Sequence, residues 1–176
     1  NHKMIAPKYC QAFSKTIVEH SGEIISTAGD GVFMLFESAV DAVSFALEIQ
    51  KTIFALNENV HEDKQVVFRF GINLGDVLFG ENELTGESIN IAARIESFAS
   101  PGRICISGPV YDSIANKMTI GYEYLGAQKF KNIKDEIEVF QLHEDPASAA
   151  MTAGGRRDRN EVASFKGDPI IDQSIV

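Results

Sequence analysis

The spacing of apolar residues changes period several times along the chain, and each change predicts an element. Residues 5 to 20 (IAPKYCQAFSKTIVEH) carry apolar positions at helical spacing with Pro7 near the first turn, which predicts a helix ending near Ser21-Gly22. Residues 24 to 37 (IISTAGDGVFMLFE) are two apolar runs joined by Gly29-Asp30-Gly31. Glycine reaches positive φ without a Cβ clash, so this stretch predicts a hairpin. Ser38 then precedes AVDAVSFALEIQKTIFAL, in which Val40, Val43, Leu47 and Phe54 fall mostly on one helical face, and Ser38-x-x-Asp41 has the form of a capping box. Residues 66 to 74 (VVFRFGINL) alternate with a period of two: Phe68, Phe70, Ile72 and Leu74 on one side, Val67, Arg69, Gly71 and Asn73 on the other. That pattern predicts a long, half-buried strand.

After Gly75-Asp76 and a short VLFG, residues 86 to 99 (GESINIAARIESFA) predict another helix, stopped by Pro101-Gly102. ICIS at 104 to 107 reads as a short buried strand. A short helix near Val110 to Asn116, a strand near 118 to 125 and a final strand in IEVFQL follow. Helices and strands alternate, but a hairpin and strand pairs are mixed in. The fold class expected is α+β, an α/β sandwich with a mixed, mainly antiparallel sheet, rather than a doubly wound one.

From Pro146 the composition shifts to PASAAMTAGGRRDRNE, without apolar period, so residues 1–144 are expected to form the domain and residues 145–176 a linker or tail leading to a further domain. The closing DPIIDQSIV has enough apolar character to dock as an added strand. No internal repeat is present.

Composition narrows the class. The chain has 176 residues, enough for one domain with a proper core. With 16 Lys+Arg against 25 Asp+Glu the formal charge is −9, which argues against bulk nucleic-acid or anionic-membrane binding and leaves room for a small anion held by local cations. No apolar run approaches a membrane span and no signal-peptide pattern opens the chain. Cys10 and Cys105 match no metal or redox spacing and read as buried, reduced thiols, in keeping with a cytoplasmic setting.

Candidate chemistry lies in three stretches. Asp30 sits at the turn of the hairpin, where Asp-Gly is also a common dipeptide with no chemical role. Asn90 and Arg94 are four apart, so on a helix they share a face, with Ile91, Ile95 and Phe98 in a neighbouring stripe suited to the core. An Arg fork suits phosphate oxygens and an Asn amide suits a ribose oxygen or ring edge; the alternative is a surface Arg94 paired with Glu87 or Glu96. Lys129, Lys131 and Lys134 precede the last strand and, taken alone, are solvated charges. The phosphate-loop, dinucleotide-fingerprint, zinc-protease and Ser/His/Asp signatures do not occur.

The order G-x-x-I-x-x-x-G-D-G-x-x-x-x-F, DAVSFALEIQ, FRFGINLGDV, GESINIAARIE, PGRICIS and FKNI resembles the class III adenylate/guanylate cyclase catalytic domain of the bacterial type, over residues 5 to 142. The resemblance implies a ferredoxin-like βαββαβ core. It implies conversion of a nucleoside triphosphate, ATP or GTP, to its 3′,5′-cyclic monophosphate and pyrophosphate, a phosphorus–oxygen lyase reaction serving intracellular signalling. Two divalent ions, Mg²⁺ or Mn²⁺, are implied, with Asp30 at the family's second metal-aspartate position. Asn90 matches the ribose-orienting position, Arg94 the position that stabilises charge on the α-phosphate, and Lys131 the lysine that binds the terminal phosphates. In this family the metal ligands and the Asn/Arg/Lys set come from opposite subunits, so a homodimer is implied.

The sequence departs from the family in three places. The opening strand with the first metal aspartate does not precede the first helix, so the chain is expected to be a fragment, incomplete for activity by itself. The base-specifying lysine of adenylate cyclases is here Ser26, and its partner aspartate is Glu83. Glu83 keeps an acceptor, which leans toward ATP, whereas the guanylate pattern is not matched. These departures motivate an alternative: a catalytically inactive cyclase-fold module that dimerises or binds nucleotide within a multidomain signalling protein. A diguanylate cyclase is disfavoured, because Ala28-Gly29-Asp30-Gly31-Val32 offers a single acid.

Overall fold

The computed structural model describes residues 6–28, 31–80 and 84–144. Helix α1 (Pro7–Glu19) starts where Pro7 places it and buries Tyr9, Phe13 and Ile17. It gives way through Ser21, at φ 54°, to the hairpin of β1 (Gly22–Ala28) and β2 (Gly31–Phe36). The hairpin register runs from Gly22↔Phe36 to Ala28↔Gly31, with one irregularity between Ile24 and Ser26. Ser38 caps α2 (Ala39–Asn57): its Oγ accepts from the Asp41 N–H at 3.1 Å and donates to the Asp41 carboxylate at 2.6 Å.

A short 3₁₀ turn (Glu62–Lys64) leads to β3 (Phe70–Ile72). Two two-residue strands, β4 (Leu78–Phe79) and β5 (Leu84–Thr85), pair antiparallel before α3 (Glu87–Phe98). Strand β6 (Ile104–Ser107), helix α4 (Gly108–Ile114) and strands β7 (Gly121–Gln128) and β8 (Ile137–His143) complete the described chain.

The larger sheet has the order β3-β6-β8-β7, with β3 parallel to β6 and the other pairs antiparallel. Together with the β1-β2 hairpin it makes the mixed α+β architecture expected, with antiparallel and mixed sheets. One face of the sheet carries the main core. There Phe13, Phe45, Phe68 and Phe70 pack ring on ring, with Ile49 and Ile53 from α2, Ile104 and Ile106 from β6, and Val110 and Ile114 from α4. A buried amide ties α1, α2 and the segment before β3 at its rim: Asn57 accepts from the Tyr9 hydroxyl at 2.7 Å and donates to the Val66 carbonyl at 2.7 Å. Helix α3 covers the opposite face, where its Ile95 and the capping Ala99 pack with Cys105 of β6 and Val139 of β8.

Four expectations need correction. The 66–74 strand is not half-buried: only Phe70–Ile72 joins the ladder, and Arg69, Gly71 and Asn73, on the supposed outer side, are buried beneath α3. Leu74, assigned to the inner side, is 48 % exposed. The strand expected at 118–125 runs from Gly121 to Gln128, because Met118 and Ile120 pack against the core before the chain enters the ladder. Cys10 is exposed, since it follows the buried Tyr9 around α1; Cys105 is buried as expected. No helix among the described residues is long and apolar enough to cross a membrane. Asp30, Glu83 and residues 145–176 lie outside the described residues, so the expected tail and added strand have no structural counterpart to compare.

Candidate active site

Helix α3 begins at Gly86, whose φ of 151° is a conformation that favours glycine, and runs back across β3. Its approach is close because Gly71 has no side chain: a Cβ there would overlap the Glu96 amide nitrogen and the Ala92 carbonyl oxygen. Ile95 is fully buried and Ile91 packs beside it, whereas Phe98 remains 36 % exposed and meets Phe130 edge to face at 5.9 Å. The expected apolar stripe is therefore real but ends at the helix rim.

That ring contact links α3 to the turn bearing Lys131. Within Phe130-Lys131-Asn132-Ile133, Asn132 has φ 66°, the Ile133 N–H donates to the Phe130 carbonyl at 3.2 Å, and Ile133 is buried. Two apolar anchors thus hold a turn whose lysine is exposed, as are Lys129 and Lys134.

Asn90 is exposed and Arg94 half-buried on α3. The ion pairs weighed for Arg94 do not form: Glu96 is buried at 3 % and its carboxylate is taken by Arg69 Nε at 2.8 Å. Glu87 is exposed, and among the described residues Arg94 has no carboxylate partner.

Ser26 reaches the same region from the hairpin. The irregularity of β1 sets Ile24 opposite Met34 and Ser26 opposite Phe33, leaving Ile25 as an extra residue, which re-aims the side chains that follow. Ile25 and Ser26 both line a partly open cavity of about 100 Å³, together with Phe33, Met34, Leu35, Val77 and Ile89. Ile89 immediately precedes Asn90, so the bulge brings Ser26 to the first turn of α3. The strands β1 and β2 close at Ala28↔Gly31, leaving residues 29 and 30 as the connection. Asp30 and Glu83 are outside the described residues, and among those described no group of three or more His, Cys, Asp or Glu side chains could hold a metal ion.

Sequence reasoning missed what seats α3. The one local signal was Gly71, since a glycine inside a strand can admit another backbone; Arg69 and Asn73 read as solvent-facing without their distant partners.

The profile of the "Adenylate and Guanylate cyclase catalytic domain" family matches residues 3–144. A Rhizobium meliloti protein named "Putative adenylate cyclase 3" is 32% identical over 139 residues, covering 79% of this chain and 24% of the relative. The chain therefore spans about a quarter of the length of such curated relatives. Among solved structures, an adenylate/guanylate cyclase/hydrolase from Silicibacter pomeroyi superposes with a TM-score of 0.69 at 32% identity, over 76% of this chain and 79% of that one. The adenylyl cyclase CyaB from P. aeruginosa shares the fold with a TM-score of 0.63 at 23% identity, over 78% and 79% of the two chains. A chain matched by the profile over most of its length, with its helices and strands in the same arrangement, belongs to the adenylate and guanylate cyclase catalytic domain family.

Proposed function

We propose that residues 1–144 form one half of a nucleotidyl cyclase active site, which a second copy of the chain completes. The observation that carries this reading is Arg94. A half-buried guanidinium without a carboxylate partner among the described residues, beside an acid already taken by Arg69, is suited to an anionic ligand.

In the reaction proposed, the 3′-hydroxyl of a nucleoside triphosphate loses its proton to water, its oxygen attacks the α-phosphorus, the bond from that phosphorus to the bridging oxygen breaks, and pyrophosphate leaves. Arg94 donates to the α-phosphate oxygens as charge grows on them, so its contribution is largest in the transition state. Asn90, one turn earlier on α3, holds the ribose so that the 3′-oxygen faces the phosphorus. Lys131 Nζ binds the terminal phosphates, and the pyrophosphate as it forms. The base lies against Ser26, with Glu83 as acceptor for the adenine amino group; on this reading ATP is the substrate. Asp30, a hard oxygen donor, suits Mg²⁺ or Mn²⁺ and would hold it from the opposite subunit; such an ion, when bound, lowers the pKa of the 3′-hydroxyl and balances phosphate charge. The product serves as a cytoplasmic second messenger, and residues 145–176 connect the catalytic domain to a further one.

The test is turnover by the full-length protein with Mn²⁺ and either ATP or GTP, following cyclic nucleotide and pyrophosphate. Cyclic AMP is the expected product. No product from either nucleotide, with nucleotide still bound by a folded dimer, would favour the inactive signalling module that Ser26 and Glu83 motivate.

A further inference from the structure

Four alternate positions along β3 and the chain on either side of it, Arg69, Gly71, Asn73 and Gly75, meet α3 in reverse order along the helix. Arg69 Nε donates to Glu96 at 2.8 Å, and its Nη1 lies 3.5 Å from the Ala99 carbonyl. Gly71 abuts the backbone at Ala92 and Glu96. Asn73 Nδ2 donates to the Ser88 carbonyl at 3.1 Å, and a Cβ on Gly75 would overlap the Ser88 hydroxyl.

Each contact fixes a different freedom of the helix. The ties at Ser88 and Glu96 are eight residues apart, about 12 Å along the axis, and together they stop α3 from sliding. Gly71 sets how near its backbone lies to the sheet. The buried pair at Glu96 sets its rotation: Glu96 follows Arg94 by two residues, about 200° around the helix, so seating one inward turns the other away from the sheet. Asn90 and Arg94 lie between the two ties.

We infer that Arg69, Gly71 and Asn73 are positioning residues of the cyclase site: they set the rotation, height and axial place of α3, and through it the aim of Asn90 and Arg94. The inference rests on the catalytic reading of those two residues. Ionic and amide hydrogen bonds are directional where apolar packing is not, which is why this face spends a buried ion pair on a helix that Ile91 and Ile95 alone would hold less specifically.

The experiment is a double-mutant cycle between Asn73→Ala and Arg94→Ala in the full-length protein, read by steady-state kinetics and by amide hydrogen exchange. Asn73→Ala leaves no buried charge behind and should fold. Expected are a kcat lower by roughly ten- to a hundred-fold with KM little changed, a smaller effect when Arg94 is already alanine, and faster exchange in α3 with α2 unchanged. Effects that add in full, or exchange in α3 that does not move, would overturn the inference. Should the parent protein show no turnover, the cyclase reading fails separately, and the exchange result alone decides whether Asn73 holds α3. For the ion pair, Arg69→Lys should retain more of kcat than Arg69→Met combined with Glu96→Leu, which preserves apolar volume but no direction; equal kcat in the two would contradict a positioning role.

Discussion

The two faces of the four-stranded sheet are built on different terms. Under α1, α2 and α4 the contacts are rings and branched aliphatics: Phe13, Phe45, Phe68 and Phe70, with Ile49, Ile104, Ile106 and Ile114 around them. Under α3 the buried apolar set is small, Ile95, Ala99, Cys105 and Val139, and it is supplemented by the Arg69–Glu96 ion pair and the Asn73–Ser88 hydrogen bond. Apolar surface supplies most of the stabilisation but tolerates repacking, whereas hydrogen-bonded pairs specify orientation. If Asn90 and Arg94 act as proposed, the face that holds the domain together and the face that aims its chemistry should therefore respond differently to mutation.

The largest effect expected is on the thick face. Phe45 is fully buried among four other rings, so Phe45→Ala should lower unfolding free energy by about 3–5 kcal/mol, measured by urea denaturation, while kcat per folded molecule stays near the parent value. A kcat that falls in step with stability would erase the distinction between the faces. Arg94→Ala should do the reverse, lowering kcat by about 10² to 10³ with the denaturation midpoint unmoved. Lys131→Ala sharpens the picture: if this exposed lysine binds ground-state and leaving phosphates alike, as proposed, its loss should raise the nucleotide KM about ten-fold with a smaller change in kcat.

The smallest effect concerns the thiols. Burial first, then the nearby Glu123 charge, pushes the Cys105 thiol from 9.0 up to about 12, against a lowering influence of Arg103. The folded state keeps a proton that the unfolded chain releases, so the stability this group contributes is complete below pH 9 and is lost as pH rises toward about 12. Maleimide labelling near neutral pH should accordingly modify exposed Cys10 in the native protein and Cys105 only after unfolding.

Much of this organisation can be read from the chain, for reasons that differ by element. Pro7 and Ser38 mark helix starts by local chemistry, and α1 and α2 begin where those residues say. Gly29-Asp30-Gly31 between apolar runs marks the hairpin that β1 and β2 form. The β4-β5 pair escaped notice because two-residue strands carry no period. The covered side of β3 escaped because Arg69 and Asn73 look solvent-facing until Glu96 and Ser88, far along the chain, supply their partners. The same nonlocality hid Ser26's approach to α3, which depends on the extra residue at Ile25.

The central claim is that one subunit presents Arg94 while the other presents Asp30 to the same nucleotide. It is tested most directly by complementation, co-expressing full-length Asp30→Ala protein with full-length Arg94→Ala protein and purifying the mixed dimer population. Each variant alone should be nearly inactive. If sites are composite, half of the dimers formed at random are mixed, each with one intact site, and the preparation should regain about a quarter of parental turnover. A mixed population that contains heterodimers yet is no more active than either variant alone would contradict the account.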